Sequence, residues 1–240
     1  MARRSAWLRL PFEFDRAGLV GDLARVRASE WVAHPNARVY TGRWRSVALR
    51  SVGGEPGQVV CEPGSRYRDT PVLRRCEYFR TVLRRFDCHK LSVRLMALDP
   101  GASIAEHRDR GSSFEDGLAR VHIPIVSSRA ASFVVDGKRL HFAEGETWYF
   151  DADCTHSATN AGSDWRVHLL LDLVPNAWLR QVFDAAGFVK RPPPPYGRPG
   201  IDDDNVDDVI WALRRTGGAT ALALADELES RKRGLVAQAP

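Results

Sequence analysis

The sequence predicts a mainly β protein, a barrel or sandwich with flanking helices. Between residues 91 and 174, short alternating strands are separated by turns at the spacing typical of an all-β domain. The segments on either side of this stretch carry helical periodicity instead. Apolar residues make up 44% of the 240-residue chain and charged residues 27%, as in ordinary globular proteins. This composition excludes wholesale disorder.

Composition also argues against a membrane or secreted protein. The longest apolar run covers only a few residues, so no segment could cross a bilayer. No apolar stretch of signal-peptide length follows the N-terminal arginines. The four cysteines form neither a disulfide framework nor a CxxC pair. We therefore expect a cytoplasmic protein.

The N-terminal part, residues 1–90, mixes helix and strand signals and forms an α/β part of the same domain. Residues 15–32 have helical spacing, and residues 45–54 alternate as a strand that ends in a turn. Residues 71–90 are typical of a helix with a basic outer face. Its inner face would carry seven apolar side chains: Val72, Leu73, Cys76, Phe79, Val82, Leu83 and Phe86.

The charge of the chain leaves one alternative function open. The 35 basic and 30 acidic residues give a net charge of +5, which could indicate nucleic acid. The excess is not one stripe, and a basic helix face such as that of residues 71–90 is usually a solvated surface. We expect neither nucleic acid nor membrane as a partner. A basic interaction module acting through this helix and the C-terminal tail is kept as an alternative.

The β core is predicted over residues 91–178. Its strands alternate between apolar and polar positions, and turn residues such as Asp99-Pro100-Gly101 end them. A hairpin is expected around Asp136-Gly137. The predicted segments are residues 91–98, 119–126, 132–142, 145–151 and 165–174.

A C-terminal helical extension is predicted over residues 179–240. It contains a stiff proline-rich linker at residues 191–199. Two helices follow, at residues 204–214 and 219–232, separated by Gly217-Gly218. The helices carry no catalytic motif and could pack on the barrel or join two subunits in a homodimer.

Alternation within two of the strands places polar side chains together. Successive strand residues point to opposite faces, so Arg120 and His122 share the face opposite an apolar row. By the same rule Arg166, His168 and Asp172 share one face of the last strand. This polar face is either exposed to solvent or lines a cavity.

A group of candidate metal ligands accompanies these strands. His107 and Asp109 are two residues apart and should lie side by side, although an HxD pair alone is a weak signal. His156 follows later, and two imidazoles with one carboxylate form the facial triad that binds non-haem Fe(II). Arg166, ten residues after His156, could hold the far carboxylate of a dicarboxylic cosubstrate. This combination is typical of 2-oxoglutarate oxygenases.

Residues 10–178 resemble the bacterial aspartyl/asparaginyl β-hydroxylase-like family of Fe(II)/2-oxoglutarate dioxygenases. The resemblance is carried by RLMALDPGASIAEHRD, GLARVHIPI and FVVDGKRLHFAEGETWYFDADCTHSATNAGSDWRVHLLLDL, and extends back through WVAHPN, YTGRW and RDTPVLRRCEYF. It implies a cupin-like double-stranded β-helix (jelly roll) core and the cofactors Fe(II), 2-oxoglutarate and O2. It further implies His107, Asp109 and His156 as the catalytic iron ligands and Arg166 as the 2-oxoglutarate clamp. Arg120 and His122 would lie at the carboxylate of cosubstrate or substrate.

One branch of the family differs from this chain. The animal membrane-bound aspartyl hydroxylase lacks the carboxylate ligand, whereas Asp109 is present here. The soluble amino-acid hydroxylases, which include proline hydroxylases, are therefore the closer comparison. The expected reaction is hydroxylation of an unactivated C–H of an amino acid, or of an aspartyl/asparaginyl-type residue in a peptide.

Two further residues are candidate substrate contacts. Arg94 and Trp148 are the candidates, because strand alternation could turn either of them towards the cavity. His34, His89 and His141 have no evident partner and are expected to be ordinary. The remaining alternative is a non-hydroxylating, cupin-like metal-binding protein in which Arg166 is structural.

Overall fold

The computed structural model describes residues 4–62, 64–191, 193–198 and 200–237. The chain divides into two compact units, residues 1–190 and residues 191–240. Pro192 and Pro199 of the predicted linker lie outside the described residues. Within the described ranges, no helix combines the length and the apolar character that crossing a membrane requires.

The described residues of the first unit form thirteen strands and four α-helices. Its helices are α1 (Arg16–Leu23), α2 (Pro71–Arg75), α3 (Glu77–Arg84) and α4 (Ala177–Ala185). Its strands are β1 (Trp7–Glu13), β2 (Val32–Ala33), β3 (Tyr40–Thr41), β4 (Trp44–Val52), β5 (Tyr67–Asp69), β6 (Lys90–Leu98), β7 (Ser103–His107), β8 (Ala119–Val126), β9 (Ala131–Val135), β10 (Lys138–Leu140), β11 (Glu146–Phe150), β12 (His156–Asn160) and β13 (Arg166–Leu173).

The strands form two antiparallel sheets. The larger sheet has eight strands in the order β1-β11-β8-β13-β6-β4-β2, with β5 paired to β4. The smaller sheet has five strands in the order β10-β9-β12-β7-β3. Neighbours distant in sequence pair in both sheets, as in a jelly roll of two packed sheets. The predicted fold class, mainly β with flanking helices, is confirmed.

The helices cover the outer face of the larger sheet. Val121, Ile123 and Ile125 of β8 are fully buried in one core with Phe79 of α3 and Phe183 of α4. The apolar row of each strand therefore faces the helices. The polar row predicted from the alternation is left on the inner face, between the two sheets.

The basic segment predicted as one helix is two short helices. Cys76, with φ −103° and ψ 89°, interrupts the run between α2 and α3. Thr70 begins α2 by accepting a hydrogen bond from the Leu73 N–H, and Pro71 follows at the first helical position. All seven apolar residues predicted to face inward are buried, so this face is confirmed.

Two other local predictions have different outcomes. The hairpin is confirmed, since Asp136 and Gly137 join β9 to β10 with φ values of 49° and 71°. Positive φ at both positions is what a two-residue type I′ turn requires. The helix predicted over residues 15–32 is shorter, because α1 ends at Leu23 and only a 3₁₀ turn, Ala28–Glu30, follows.

The second unit is a pair of helices around a small core. Helices α5 (Val206–Thr216) and α6 (Ala219–Ala237) correspond to the two predicted helices. Gly217 and Gly218 separate them with φ values of 70° and 83°. The buried core consists of Tyr196, Val206, Ile210, Ala225 and Leu228. The homodimer through these helices stays a prediction.

Helix α4 belongs to the first unit. Sequence analysis assigns most of it to the extension beginning at residue 179, but the two compact units meet at residues 190 and 191. Leu179 and Phe183 are fully buried in the core beneath the larger sheet. An amphipathic helix directly after a strand can dock on its own sheet, which sequence periodicity alone does not distinguish from a separate tail.

Candidate metal centre

A cavity of about 160 Å³ lies between the two sheets. It is lined by β4, β6, β8, β11 and β13 of the larger sheet and β7, β9 and β12 of the smaller one. All the predicted site residues except Trp148 contribute to its wall. The indole of Trp148 instead stacks on Phe142 and donates its Nε1–H to Glu146 at 2.8 Å. The structure therefore does not bring Trp148 to the cavity.

Three predicted ligands converge at one end of this cavity. His107 ends β7 and His156 begins β12, and the two residues are directly paired across these antiparallel strands. Their imidazole centroids are 4.2 Å apart. Asp109 follows β7, with its N–H donated to the Ala152 carbonyl at 2.8 Å. One donor atom from each ligand residue lies within 4.8 Å of the other two.

The position of Asp109 corrects one detail of the sequence analysis. Strand alternation predicts that Asp109 and His107 share a strand face, but β7 ends at His107 and Asp109 lies in the loop beyond it. The Asp109 Oδ1 atom is nevertheless 3.8 Å from His107 Nε2. The loop backbone, not the strand pleat, therefore brings the carboxylate next to the imidazole.

Backbone carbonyls set the tautomer of both imidazoles. His107 Nδ1 lies 2.8 Å from the Ala105 carbonyl, and His156 Nδ1 lies 2.9 Å from the Cys154 carbonyl. A carbonyl oxygen can only accept, so each Nδ1 carries the proton. Each Nε2 then offers a lone pair, and such hydrogen bonds also orient metal-ligating histidines.

The charges of the three groups suit a divalent metal. Burial lowers the pKa of His156 to about 4, so its imidazole is neutral at physiological pH. Burial alone would raise the pKa of Asp109, but the charge and hydrogen bond of Arg120, together with the two nearby histidines, hold the pKa below its usual value. Two imidazoles and one carboxylate are the donor set of non-haem Fe(II) sites. The residues present therefore fit the metal that the sequence predicts.

A buried ion-pair network adjoins this triad. Arg120 donates from Nη1 to Asp109 at 2.5 Å and from Nε to Asp172 at 2.9 Å. Arg94 donates to the other Asp172 oxygen at 2.6 Å and to the Val59 carbonyl at 2.8 Å. The Asp172 side chain is fully buried. Arg120, expected at the carboxylate of cosubstrate or substrate, and Arg94, a candidate substrate contact, are thus both anchored to one aspartate.

Arg166 is different, because no carboxylate pairs with it among the described residues. Its guanidinium is buried, lies over the Phe133 ring at 5.7 Å from the centroid, and approaches His168 Nδ1 at 3.2 Å. Burial lowers the pKa of Arg166 to about 10, which still leaves it charged at neutral pH. A buried cation without a counter-ion favours an anionic ligand.

The cavity also contains residues that sequence analysis did not assign. His34, expected to be ordinary, lines the cavity wall with its ring stacked on Trp44 at a centroid distance of 3.5 Å. Burial lowers the pKa of His34 to about 4, so it is neutral. It lies in an irregular segment between β2 and β3, where no periodic pattern predicts which way a side chain points. Its place in the WVAHPN motif was the one available signal.

The fold and the cavity together define a class of protein. It is a double-stranded β-helix whose two sheets enclose a site with two histidines, one carboxylate and a buried arginine. Residues 18–175 match the family model for aspartyl/asparaginyl β-hydroxylase. The chain therefore belongs to this family, which confirms the resemblance in the sequence motifs.

Individual relatives agree with this assignment. Over 177 residues the chain is 25% identical to an L-proline cis-4-hydroxylase from Rhizobium meliloti (strain 1021), covering 71% of this chain. The aligned part spans 62% of that relative's length. The fold is similar to that of a 2OG-Fe(II) oxygenase family oxidoreductase from Burkholderia pseudomallei, with a TM-score of 0.50 and 16% identity. That match covers 70% of this chain and 85% of the other.

Proposed function

We propose that this protein is an Fe(II)- and 2-oxoglutarate-dependent hydroxylase of a small amino acid that bears a free carboxylate. The observation that carries the proposal is a shared cavity. His107, Asp109 and His156 converge in it, and the guanidinium of Arg166 lies in the same wall, where no carboxylate of the described residues pairs with it. A metal site beside a buried cation suits a cosubstrate that chelates the metal at one end and is anionic at the other.

The three ligands would hold Fe(II) through His107 Nε2, His156 Nε2 and an Asp109 carboxylate oxygen. When bound with 2-oxoglutarate and O2, this metal supplies the oxidising power that replaces a C–H bond by C–OH. The protein supplies position and a dry environment. Trp44, Phe133 and Phe150 form apolar parts of the wall and would exclude water from the reacting carbon.

Arg166 would hold the far carboxylate of 2-oxoglutarate. His122 lies in the same wall, with its Nδ1 3.2 Å from that of His168. Burial lowers the pKa of His122 well below its usual value, so it is neutral and adds no charge. The cosubstrate would therefore be recognised mainly by one cation, which fits a single terminal carboxylate.

We infer the substrate class from the positive charge of the cavity that no protein carboxylate balances. Arg94 and Arg120 share the single buried carboxylate of Asp172, while Asp109 would be committed to the metal. One positive charge is then left over for a substrate carboxylate. The cavity volume of about 160 Å³ is smaller than usual ligand pockets, which favours a free amino acid over a longer peptide. L-Proline is the first candidate, since a relative bears the name of a proline hydroxylase.

The proposal is tested by turnover. The Fe(II)-loaded protein is incubated with 2-oxoglutarate, O2 and single amino acids, beginning with L-proline, and then with short aspartyl and asparaginyl peptides. Succinate and hydroxylated product are measured by mass spectrometry. We expect both with at least one free amino acid and neither with His156→Ala. Product only from peptides would show that the substrate is a peptide residue and not a free amino acid. Absence of succinate with every compound would contradict the proposed activity.

Replacement of Arg166 by alanine should weaken 2-oxoglutarate binding much more than metal binding. Hydrogen bonds to a charged group contribute about 1.5–3 kcal/mol, so we expect a loss of roughly ten- to hundredfold. Calorimetric titration of the Mn(II)-loaded protein without O2 measures it. Arg180→Ala, at an exposed arginine on α4, is the control. Unchanged affinity would assign the clamp to another residue.

Removal of residues 200–240 should leave metal binding intact. All three proposed ligands belong to the unit of residues 1–190, which has its own buried core. The truncated and full-length proteins should bind one equivalent of Mn(II) with affinities within about threefold, because the unit that remains contains all three proposed ligands. Loss of binding in a truncated protein that keeps its circular dichroism spectrum would contradict this division of roles.

A further inference from the structure

We propose that His168 is a positioning residue for Arg166: its Nδ1 accepts a hydrogen bond from the guanidinium and holds it ready for the far carboxylate of 2-oxoglutarate. This inference rests on the proposed function. His168 shares a face of β13 with Arg166, as strand alternation predicts, but neither the sequence motifs nor the family resemblance gives it a role.

The direction of the hydrogen bond is fixed by chemistry. Arg166 Nη2 lies 3.2 Å from His168 Nδ1, and a guanidinium can only donate. His168 Nδ1 must therefore present its lone pair, with the ring proton on Nε2. His122 Nδ1 lies 3.2 Å from the same atom and must be the donor in that second contact. His168 Nδ1 thus accepts from both Arg166 Nη2 and His122 Nδ1, and the two donors share its single lone pair.

An irregularity in strand pairing lies next to this contact. The pairing of β13 with β8 shifts register between Val167 and His168, whose partners are Val126 and Pro124. The irregularity falls between Arg166 and His168, the two residues in contact. The extra residue, Ile125, belongs to β8, while β13 pairs regularly with β6 from Arg166 to Leu171. The bulge therefore leaves intact the alternation of β13 that puts Arg166 and His168 on one face.

Packing alone is a poor explanation for a histidine here. His168 Nε2 is buried and has no hydrogen-bond partner among the residues that the structure describes, which costs free energy that an aliphatic residue would not incur. The neighbouring positions Val167, Leu169 and Leu170 are aliphatic and buried. Burial also lowers the pKa of His168 well below its usual value, which keeps the ring neutral and able to accept at Nδ1.

A neutral partner has a functional advantage over a carboxylate. Asp172 anchors both Arg94 and Arg120 and offsets part of their charge. An aspartate beside Arg166 would likewise compete with an incoming anion. A histidine lone pair orients the guanidinium and leaves its full charge available. His168 therefore explains how Arg166 can be both fixed in place and open to a ligand.

The test compares two 2-oxo acids on the Mn(II)-loaded protein by calorimetry without O2. 2-Oxoglutarate has the far carboxylate, whereas pyruvate chelates the metal in the same way but lacks it. His168→Leu should weaken 2-oxoglutarate binding by about tenfold or more, by loss of orientation of a charge-assisted contact. The affinities for pyruvate and Mn(II) should stay within about threefold of wild type, because pyruvate has no far carboxylate for Arg166 to hold and the three proposed metal ligands are unchanged.

Two further variants separate orientation from packing. In His168→Asn the side-chain oxygen can occupy the place of Nδ1, and this variant should restore 2-oxoglutarate binding. His168→Gln has the same polar group one methylene farther out, and should bind as weakly as His168→Leu. This contrast does not depend on the leucine variant being folded.

Three results would overturn the inference. Equal loss of 2-oxoglutarate and pyruvate affinity would show general disruption of the cavity, and equal behaviour of the Asn and Gln variants would show that the Nδ1 acceptor does not matter. Wild-type affinity in His168→Leu would show that Arg166 is held by other groups. Failure of the proposed function looks different, since the wild-type protein would then not prefer 2-oxoglutarate to pyruvate, and the inference would fall with it.

Discussion

Substitution of His156 by alanine is expected to abolish tight binding of a divalent metal and all turnover. His156 and His107 are proposed to supply two of the three protein ligands, from directly paired positions of β12 and β7. One imidazole and one carboxylate cannot hold a labile ion well, and the metal affinity should fall below detection. Titration with Mn(II) should show one site in the wild-type protein and none in the variant.

The matched control for this substitution is His89→Ala, at an exposed histidine of the same unit. It should bind Mn(II) as the wild-type protein does. The double variant His107→Ala/His156→Ala gives the strictest test, because no imidazole of the triad remains. Wild-type Mn(II) affinity in that double variant would contradict the proposed metal centre.

Substitution of Asp109 by alanine is expected to reduce hydroxylation by more than about a hundredfold. Losing a residue that only hydrogen-bonds a metal ligand costs about 10- to 100-fold, and losing a ligand itself should cost more. The carboxylate would neutralise part of the metal charge and occupy a position that a halide could otherwise take. Its loss also removes one of the two carboxylates that hold Arg120. Product formation at saturating Fe(II) and 2-oxoglutarate measures the effect. Asp109→Glu should keep some metal binding but displace the carboxylate by one methylene.

Glu106→Ala is the control for the Asp109 variant, since it removes an exposed carboxylate from the same strand-and-loop segment. It should hydroxylate at close to the wild-type rate. If Asp109→Ala instead works at that rate, the carboxylate is not a ligand. The protein would then resemble the two-histidine branch of its family, and the soluble amino-acid hydroxylases would be the wrong comparison.

The sequence predicts those parts of the fold that depend on strict alternation. On β8 and β13 one face is apolar and fully buried, so the register of each strand is set by a large free-energy difference. Arg120, His122, Arg166 and His168 are consequently predicted on the opposite, polar face, which alternation leaves to solvent or a cavity and which lines the cavity in the structure. The Asp136-Gly137 turn is equally local, because few dipeptides tolerate two positive φ values.

Other features depend on contacts that no local pattern contains. The Arg94–Asp172–Arg120 network joins three strands, and only the strand order places its members together. The same is true of Trp148. Strand alternation could turn its side chain towards the cavity, but the indole stacks on Phe142 and donates a hydrogen bond to Glu146. His34 lies in an irregular segment that carries no period. Tertiary packing decides each of these positions.

The helix boundaries show a related limit. Residues 71–84 have one continuous apolar face, and all of its predicted members are buried. The helix nonetheless breaks at Cys76, whose backbone leaves the helical region. Amphipathic spacing predicts which side chains face the core, but it does not report a change of backbone direction between two short helices.

The fate of molecular oxygen tests the central claim most directly. The Fe(II)-loaded protein is supplied with 2-oxoglutarate, the amino acid that gives the most succinate, and ¹⁸O2. The proposed function predicts one labelled oxygen atom in the hydroxylated amino acid, one in succinate, and equal amounts of the two products. An unlabelled hydroxyl group, or succinate without a hydroxylated amino acid under any substrate tested, would contradict it.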